Sequence, residues 1–233
     1  MTDIPPPVPP PTPSYWPPDP DPARTGPAWE HTGPWLTRFI RTVQPALLEP
    51  TVFFRTMRRT GGVGAPVLFG LVGTLIGGAV AAAYQLMFAM LGSGFGASEA
   101  MRSQAIVSLA TSGCYVVLIP IAAVLGMFIA AGIYHVMLLL LGDARRPFET
   151  TMRVVGYSHG STALVNVVPI CGGVIAAVWA LVITIIGLAQ THEIPTGKAA
   201  IAVLLPAVLC CLVSLVVLAT VILTVFQGFR HWQ

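Results

Sequence analysis

The pentapeptide Gly-Tyr-Ser-His-Gly at residues 156–160 is where this chain comes nearest to catalytic vocabulary, because it fits the G-x-S-x-G pattern of serine hydrolases. In that reading Ser158 is the nucleophile. A histidine must then take its proton, either the adjacent His159 or, by elimination, His135. The competing reading is structural: Gly156 and Gly160 also form the G-x-x-x-G spacing that lets membrane helices approach closely, with His159 a hydrogen-bonded interior residue. Metal chemistry has less support. Cys114, Cys171, Cys210 and Cys211 show no C-x-x-C spacing and no H-x-x-x-H pair accompanies them, so they read as small core hydrophobes, and no metal or other cofactor is expected.

What must position Ser158 follows from the solvent in which the chain folds. Of 233 residues, 55% are hydrophobic and only 9% charged, and the mean hydropathy is +0.79, whereas soluble domains carry roughly a quarter charged residues. Charge-free apolar stretches run over residues 66–91, 113–141, 171–190 and 199–226, each near or above the roughly 20 residues of a spanning helix. They must be helices, since lipid leaves backbone polar groups no other partner. The soluble α/β sheet that presents a nucleophile elbow is thereby excluded, and only an intramembrane hydrolase remains on the catalytic side. Every acidic residue lies outside these stretches, so no ion path is visible, and a small permease is a further alternative. Phosphate-binding loops, paired carboxylates and nucleic-acid patches are lacking, and no nucleic-acid partner is expected.

The remaining segments differ in material. Residues 1–34 hold most of the prolines and are expected to form a disordered arm rich in polyproline II, either a docking strip with P-x-x-P spacing such as Pro6 and Pro9 or a solvated spacer. Residues 35–65 read as amphipathic pieces in the membrane interface. Trp35, Leu36, Phe39, Ile40 and Val43 recur at helical spacing until Pro45 ends the helix; Phe53, Phe54 and Met57 follow Pro50. Arg55, Arg58 and Arg59 are placed to meet anionic headgroups, at about 1 kcal/mol each. The first apolar run begins too late for a cleaved signal peptide and is expected to be retained. Arg24, Arg38, Arg41, Arg55, Arg58 and Arg59 precede it and only Arg102 follows, so the N-terminus is expected in the cytoplasm.

Residues 150–169 leave two topologies open. They include Arg153, His159, two glycines and Asn166, and form either a fifth, weakly apolar span with a snorkelling Arg153, or an interfacial helix in a four-span protein. Gly70, Gly73 and Gly77 share a face of the first span, and Ala122, Gly126 and Ala130 form a ridge on the second; both read as packing surfaces. Pro120 and Pro206 should kink their helices.

Several scattered positions carry a resemblance. Pro50, Phe53, Phe54, Gly61, Gly62, Pro66 and Phe69 lead into the first span, and Phe148, Arg153, Tyr157 and Ser158 into the third. Pro169, Gly172 and Gly173 then form a hairpin, and Trp179, Gly187, Leu188, His192, Lys198 and Ala199 complete the series. In order and spacing, residues 49–226 resemble the Yip family, the Ypt/Rab-interacting membrane proteins, in its bacterial branch. The resemblance implies an all-α, polytopic bundle of five helices over residues 66–226, followed by a short tail at 227–233, with a cytoplasmic N-terminus and no catalysis. It makes Tyr157 and Ser158 part of a structural segment. Eukaryotic relatives bind small GTPases and one another; eleven arginines against one lysine hint at a GC-rich bacterium. The expectation is an inner-membrane scaffold or adaptor that contacts lipid, binds membrane or cytoplasmic proteins and self-associates through its glycine faces.

Overall fold

The computed structural model describes the backbone of residues 24–94, 99–169 and 171–230, and their side chains except those of Ala89, 92–117 and 225–230. Within these residues the protein is all helical. The 3-10 turn Ala28–Glu30 is followed by α1 (Trp35–Leu48), α2 (Pro50–Thr56), α3 (Gly64–Gly94), α4 (Glu99–Leu140) and α5 (Phe148–Thr162). A second 3-10 turn, Ala163–Val167, leads to α6 (Gly172–His192) and α7 (Thr196–Arg230). Four helical stretches are long and apolar enough to cross a bilayer: Gly64–Phe88, Leu118–Leu140, Gly172–His192 and Thr196–Thr224. The expected fifth span at 150–169 divides into α5 and the second 3-10 turn and is not among them, because α5 has only 15 residues and carries many polar ones.

α5 is the element around which the others assemble. Twelve of its fifteen residues are buried, including Thr150, Thr151, Arg153, Ser158, Ser161 and Thr162. It packs on α3, α4 and α6, with α1 across its beginning. The α3–α5 contact explains why so many small residues were needed. A Cβ on Gly156 would stand 2.6 Å from the Pro66 carbonyl oxygen, one on Gly160 would stand 2.8 Å from that of Phe69, and one on Gly73 would overlap the Gly160 carbonyl. A Cβ on Gly70 or Gly77 is likewise blocked, by Met127 and by the Ala163 carbonyl. Residues 66, 70, 73 and 77 therefore meet 156, 160 and 163 in the same order, and α5 runs parallel to α3. The glycine faces expected to support self-association are consumed inside the protomer. Gly126 differs: its Cβ position meets nothing within 4 Å, so it is not a packing residue here.

The segments before α3 depart further from expectation. Residues 1–23 of the proline-rich arm lie outside the described residues, but 24–30 fold back on the bundle: Trp29 is buried, its backbone N–H donates to Thr42 Oγ1 (2.8 Å) and its Nε1–H to the Ala65 carbonyl (2.9 Å). Pro45 lies inside α1 instead of ending it, and the chain turns at Glu49, whose N–H donates to the Pro45 carbonyl (2.9 Å). α1 presents Phe39, Thr42, Val43 and Ala46 to the bundle and leaves Trp35, Leu36 and Ile40 exposed. Phe39, expected at the membrane surface, is interior because it joins an aromatic chain with Trp29 (6.0 Å between centroids) and Phe69 (5.1 Å), which continues from Phe69 to Tyr157 (5.1 Å). The cysteines are not core residues: Cys171, Cys210 and Cys211 are exposed, the last two on a stretch of α7 that faces away from the other helices, and Cys114 lies outside the described side chains.

Overpacked buried sites cost about 1–3 kcal/mol, so Gly160→Val should lower the thermal midpoint of the detergent-solubilised protein. Gly126→Ala should leave it unchanged or raise it, both read by scanning fluorimetry.

Candidate functional site

The arginine-rich end of the bundle, where α3, α5 and α7 begin and α4 and α6 end, gathers nearly all of the described charge. Its centre is Arg153, one turn into α5 and fully buried. Nε–H donates to the Arg58 carbonyl (2.7 Å) and Nη1–H to that of Gly62 (2.8 Å), while Nη2 pairs with the Glu30 carboxylate. The Tyr157 hydroxyl donates to the same Glu30 oxygen at 2.5 Å. Glu30 belongs to the returning 3-10 turn, so the turn closes over a guanidinium that would otherwise be an unpaired buried charge. Arg153 does not snorkel. Helical spacing puts residues 153 and 157 on one face of α5, which lets one carboxylate serve both.

A second carboxylate, Glu193, stands just past α6 with φ at 56°, a left-handed conformation that costs a non-glycine residue about 1–2 kcal/mol. Arginines from three segments converge on it: Arg59 in direct contact, Arg146 at 3.2 Å and Arg24 at 3.9 Å, while Arg145 donates to its backbone carbonyl at 3.0 Å. Partial burial pushes the Glu193 carboxyl up, but Arg59 and Arg146 outweigh it and hold the group below the usual carboxylate range. Arg59, expected among the headgroup-facing arginines, is thus interior. Arg55, by contrast, is exposed, donating to Gln190 at 3.4 Å, and Arg58 contributes its backbone carbonyl to Arg153. Lys198 at the start of α7 pairs with Asp143 of the α4–α5 loop at 2.8 Å.

Between the two carboxylate centres lies a chain of three side chains. His135 Nδ1 is 3.0 Å from Thr151 Oγ1, which is 3.1 Å from Nε2 of the fully buried His192. One hydroxyl carries one proton, so between neutral rings one imidazole presents N–H to Thr151 and the other its lone pair.

The hydrolase constellation does not assemble. Ser158 Oγ is buried without a hydrogen-bond partner, His135 is committed to Thr151, and the His159 imidazole makes no hydrogen bond among the described residues. His159 is not an interior hydrogen-bonded histidine either: it is exposed at the lateral surface between a recess of about 70 Å³ and one of about 220 Å³, the latter also lined by Thr74, Thr162 and Asn166. No group of three or more His, Cys, Asp or Glu able to hold a metal occurs among the described residues. Arg153, Tyr157 and His192 thus come together at one end, and Asn166 and His159 face the lateral recess. Glu30, Glu193 and Thr151 were missed by sequence reasoning. Glu30 sat within a segment read as disordered, and nothing local marks Thr151 or Glu193.

Described residues that are all helical, with four helices long and apolar enough to cross a membrane and a cluster of paired charges at one end, define a multi-pass membrane protein. A family model, the Yip1 domain, matches residues 46–218, about three quarters of the 233-residue chain, and the chain belongs to that family. No curated protein and no solved structure matches it.

Removing one member of a buried ion pair costs about 3–5 kcal/mol; Glu30→Gln and Arg153→Met should each destabilise the solubilised protein strongly, and the double variant by less than their sum in a mutant cycle. For Glu193 the folded carboxyl is depressed, so its stabilisation is present above the ordinary value near 4.5 and is lost as pH falls below it. The group is half exposed, which limits the effect to about 1 kcal/mol or less. On acidification the thermal midpoint of Glu193→Gln should therefore fall less than that of the unaltered protein.

Proposed function

We propose that this protein is a non-enzymatic scaffold or adaptor of the bacterial inner membrane, with its arginine-rich end in the cytoplasm and the proline-rich arm as the partner-recruiting element. The observation that supports it most is the state of the polar residues at that end. Arg153, Glu30 and Tyr157 are occupied with one another and Glu193 with Arg59, Arg146 and Arg24, and among the described residues Ser158 Oγ has no base within hydrogen-bond reach. A buried ion-pair cluster of this kind anchors segments. It fixes residues 24–30 to the bundle and thereby fixes where the arm begins. Trp35, Leu36 and Ile40, exposed on α1 beside the bundle, suit contact with the membrane interface.

The reading includes five crossings. α5 and the 3-10 turn together rise about 32 Å at 1.5 and 2.0 Å per residue, close to the roughly 30 Å of hydrocarbon. α5 is shielded by its neighbours, which is how so polar a segment can lie at that depth. Five crossings put the two ends of the transmembrane region on opposite sides.

Two measurements test this reading. A reporter fused after Gln233 should be active in the periplasm; cytoplasmic activity would overturn the five-crossing arrangement. Crosslinking and affinity purification from native membranes should recover a stoichiometric partner with the full chain and lose it when residues 1–23 alone are deleted, which keeps Glu30 in place. Equal recovery from both would sink the recruiting role of the arm, and fluorophosphonate labelling abolished by Ser158→Ala would replace the adaptor with a hydrolase.

A further inference from the structure

The lateral recess beside α5 is the feature that the cytoplasmic end does not explain. It holds about 220 Å³ between α3, α5 and α6, and its walls are mostly small: Gly78, Ala163, Ala176, Ala177 and Ala180. At its edges stand the His159 imidazole and the Asn166 amide, neither of which hydrogen bonds to any described residue. Ala177 lies 15 residues and Ala180 12 residues from the end of α6 at His192, so at 1.5 Å per residue the recess is about 18–22 Å deep. That is within the hydrocarbon, where neither water nor lipid ester groups supply a hydrogen-bond partner. The unpaired His159 imidazole, about 16 Å deep counted from the start of α5, calls for another protein segment there, and the Asn166 amide stands at the far end of the same recess.

The same protein carries a helix that fits. From Val208 to Leu223, α7 is exposed on nearly every side, so among the described residues this half of the helix has no partner within the protomer. It shows small side chains at Ala207, Cys211 and Ser214, the spacing that allows close approach. Counted from Thr196, the first residue of α7, Cys210 and Cys211 fall about 21–22 Å deep, level with Ala177 and Ala180. Ser214 falls at about 27 Å, and Asn166, counted through α5 and the 3-10 turn, at about 28 Å. The Ser214 hydroxyl donates to its own helix, to the Cys210 carbonyl at 2.8 Å, which leaves its oxygen free to accept from the Asn166 amide. We infer that the recess between α3, α5 and α6 receives α7 of a second copy of this chain, with Asn166 donating to Ser214 across the contact. The inference rests on the five-crossing arrangement proposed above and is independent of the adaptor role.

The test uses two differently tagged full-length copies coexpressed in native membranes. In one copy Cys114, Cys171, Cys210 and Cys211 are replaced by Ser and Ala177→Cys is added; in the other only Cys114 and Cys171 are replaced. Oxidation should join the two tags through Cys210 or Cys211. Moving the probe to Val178→Cys, an exposed position on nearly the opposite face of α6, should not join them. Asn166→Leu or Ser214→Ala should reduce the joined fraction about threefold, the scale of one interhelical hydrogen bond in a membrane. No mixed-tag product from Ala177→Cys, equal product from Val178→Cys, or indifference to both Asn166→Leu and Ser214→Ala would overturn the assignment. The reporter after Gln233 reads the crossing arrangement separately, so a failed contact and a failed topology give different results.

Discussion

Everything at the arginine-rich end depends on where the charge of Arg153 goes. A guanidinium fully buried beneath a helical bundle is tolerable only if a carboxylate and several acceptors meet it. The chain supplies these from two distant segments: Glu30 before α1, and the carbonyls of Arg58 and Gly62 between α2 and α3. The pair does not need to be a large net source of stability to matter. Because losing either partner is far more costly than forming the pair is favourable, it makes the docking of residues 24–30 a condition of the fold. The aromatic chain from Trp29 to Tyr157 covers the pair on its apolar side.

α5 makes this arrangement possible. It is too polar to face lipid, so it is wrapped by α3, α4 and α6, and its glycines let α3 come so near that no side chain fits between the backbones. In lipid, where apolar burial drives helices together only weakly, such close contact is a main source of association. Its cost is specificity of shape: the surface that meets α3 is not available to another molecule. Assembly between copies therefore has to use other surfaces, and among the described residues the lateral recess and the exposed half of α7 are available to it.

Glu193 illustrates a related economy. A left-handed residue at the end of α6 is strained, yet its carboxylate is the meeting point for the segments carrying Arg24, Arg59 and Arg146. The three arginines sit far apart in sequence, and one acidic residue orders the ends of α2, α4 and α6 relative to one another. Beside it, His192 reaches His135 through Thr151, which ties the end of α6 to α4 across the first turn of α5.

Sequence alone determined the solvent, the helical class and the number of strongly apolar spans, because hydropathy over about 20 residues is a local property that lipid reads directly. It also marked Arg153, Tyr157 and the glycines of α3 and α5, since polar and very small residues are conspicuous in apolar runs. Tertiary structure alone decided what these residues do. Helical spacing placed Phe39 and Arg59 at the surface, but amphipathicity does not say whether an apolar face meets lipid or protein, and here it meets protein. Composition made residues 24–30 part of a disordered arm, because their order comes from tertiary partners: Thr42 and Ala65 for Trp29, and Arg153 and Tyr157, more than a hundred residues away, for Glu30. The Ser158 pattern matched a hydrolase at the level of five letters, whereas a base within hydrogen-bond reach is a fact of three dimensions, and the fold places none there.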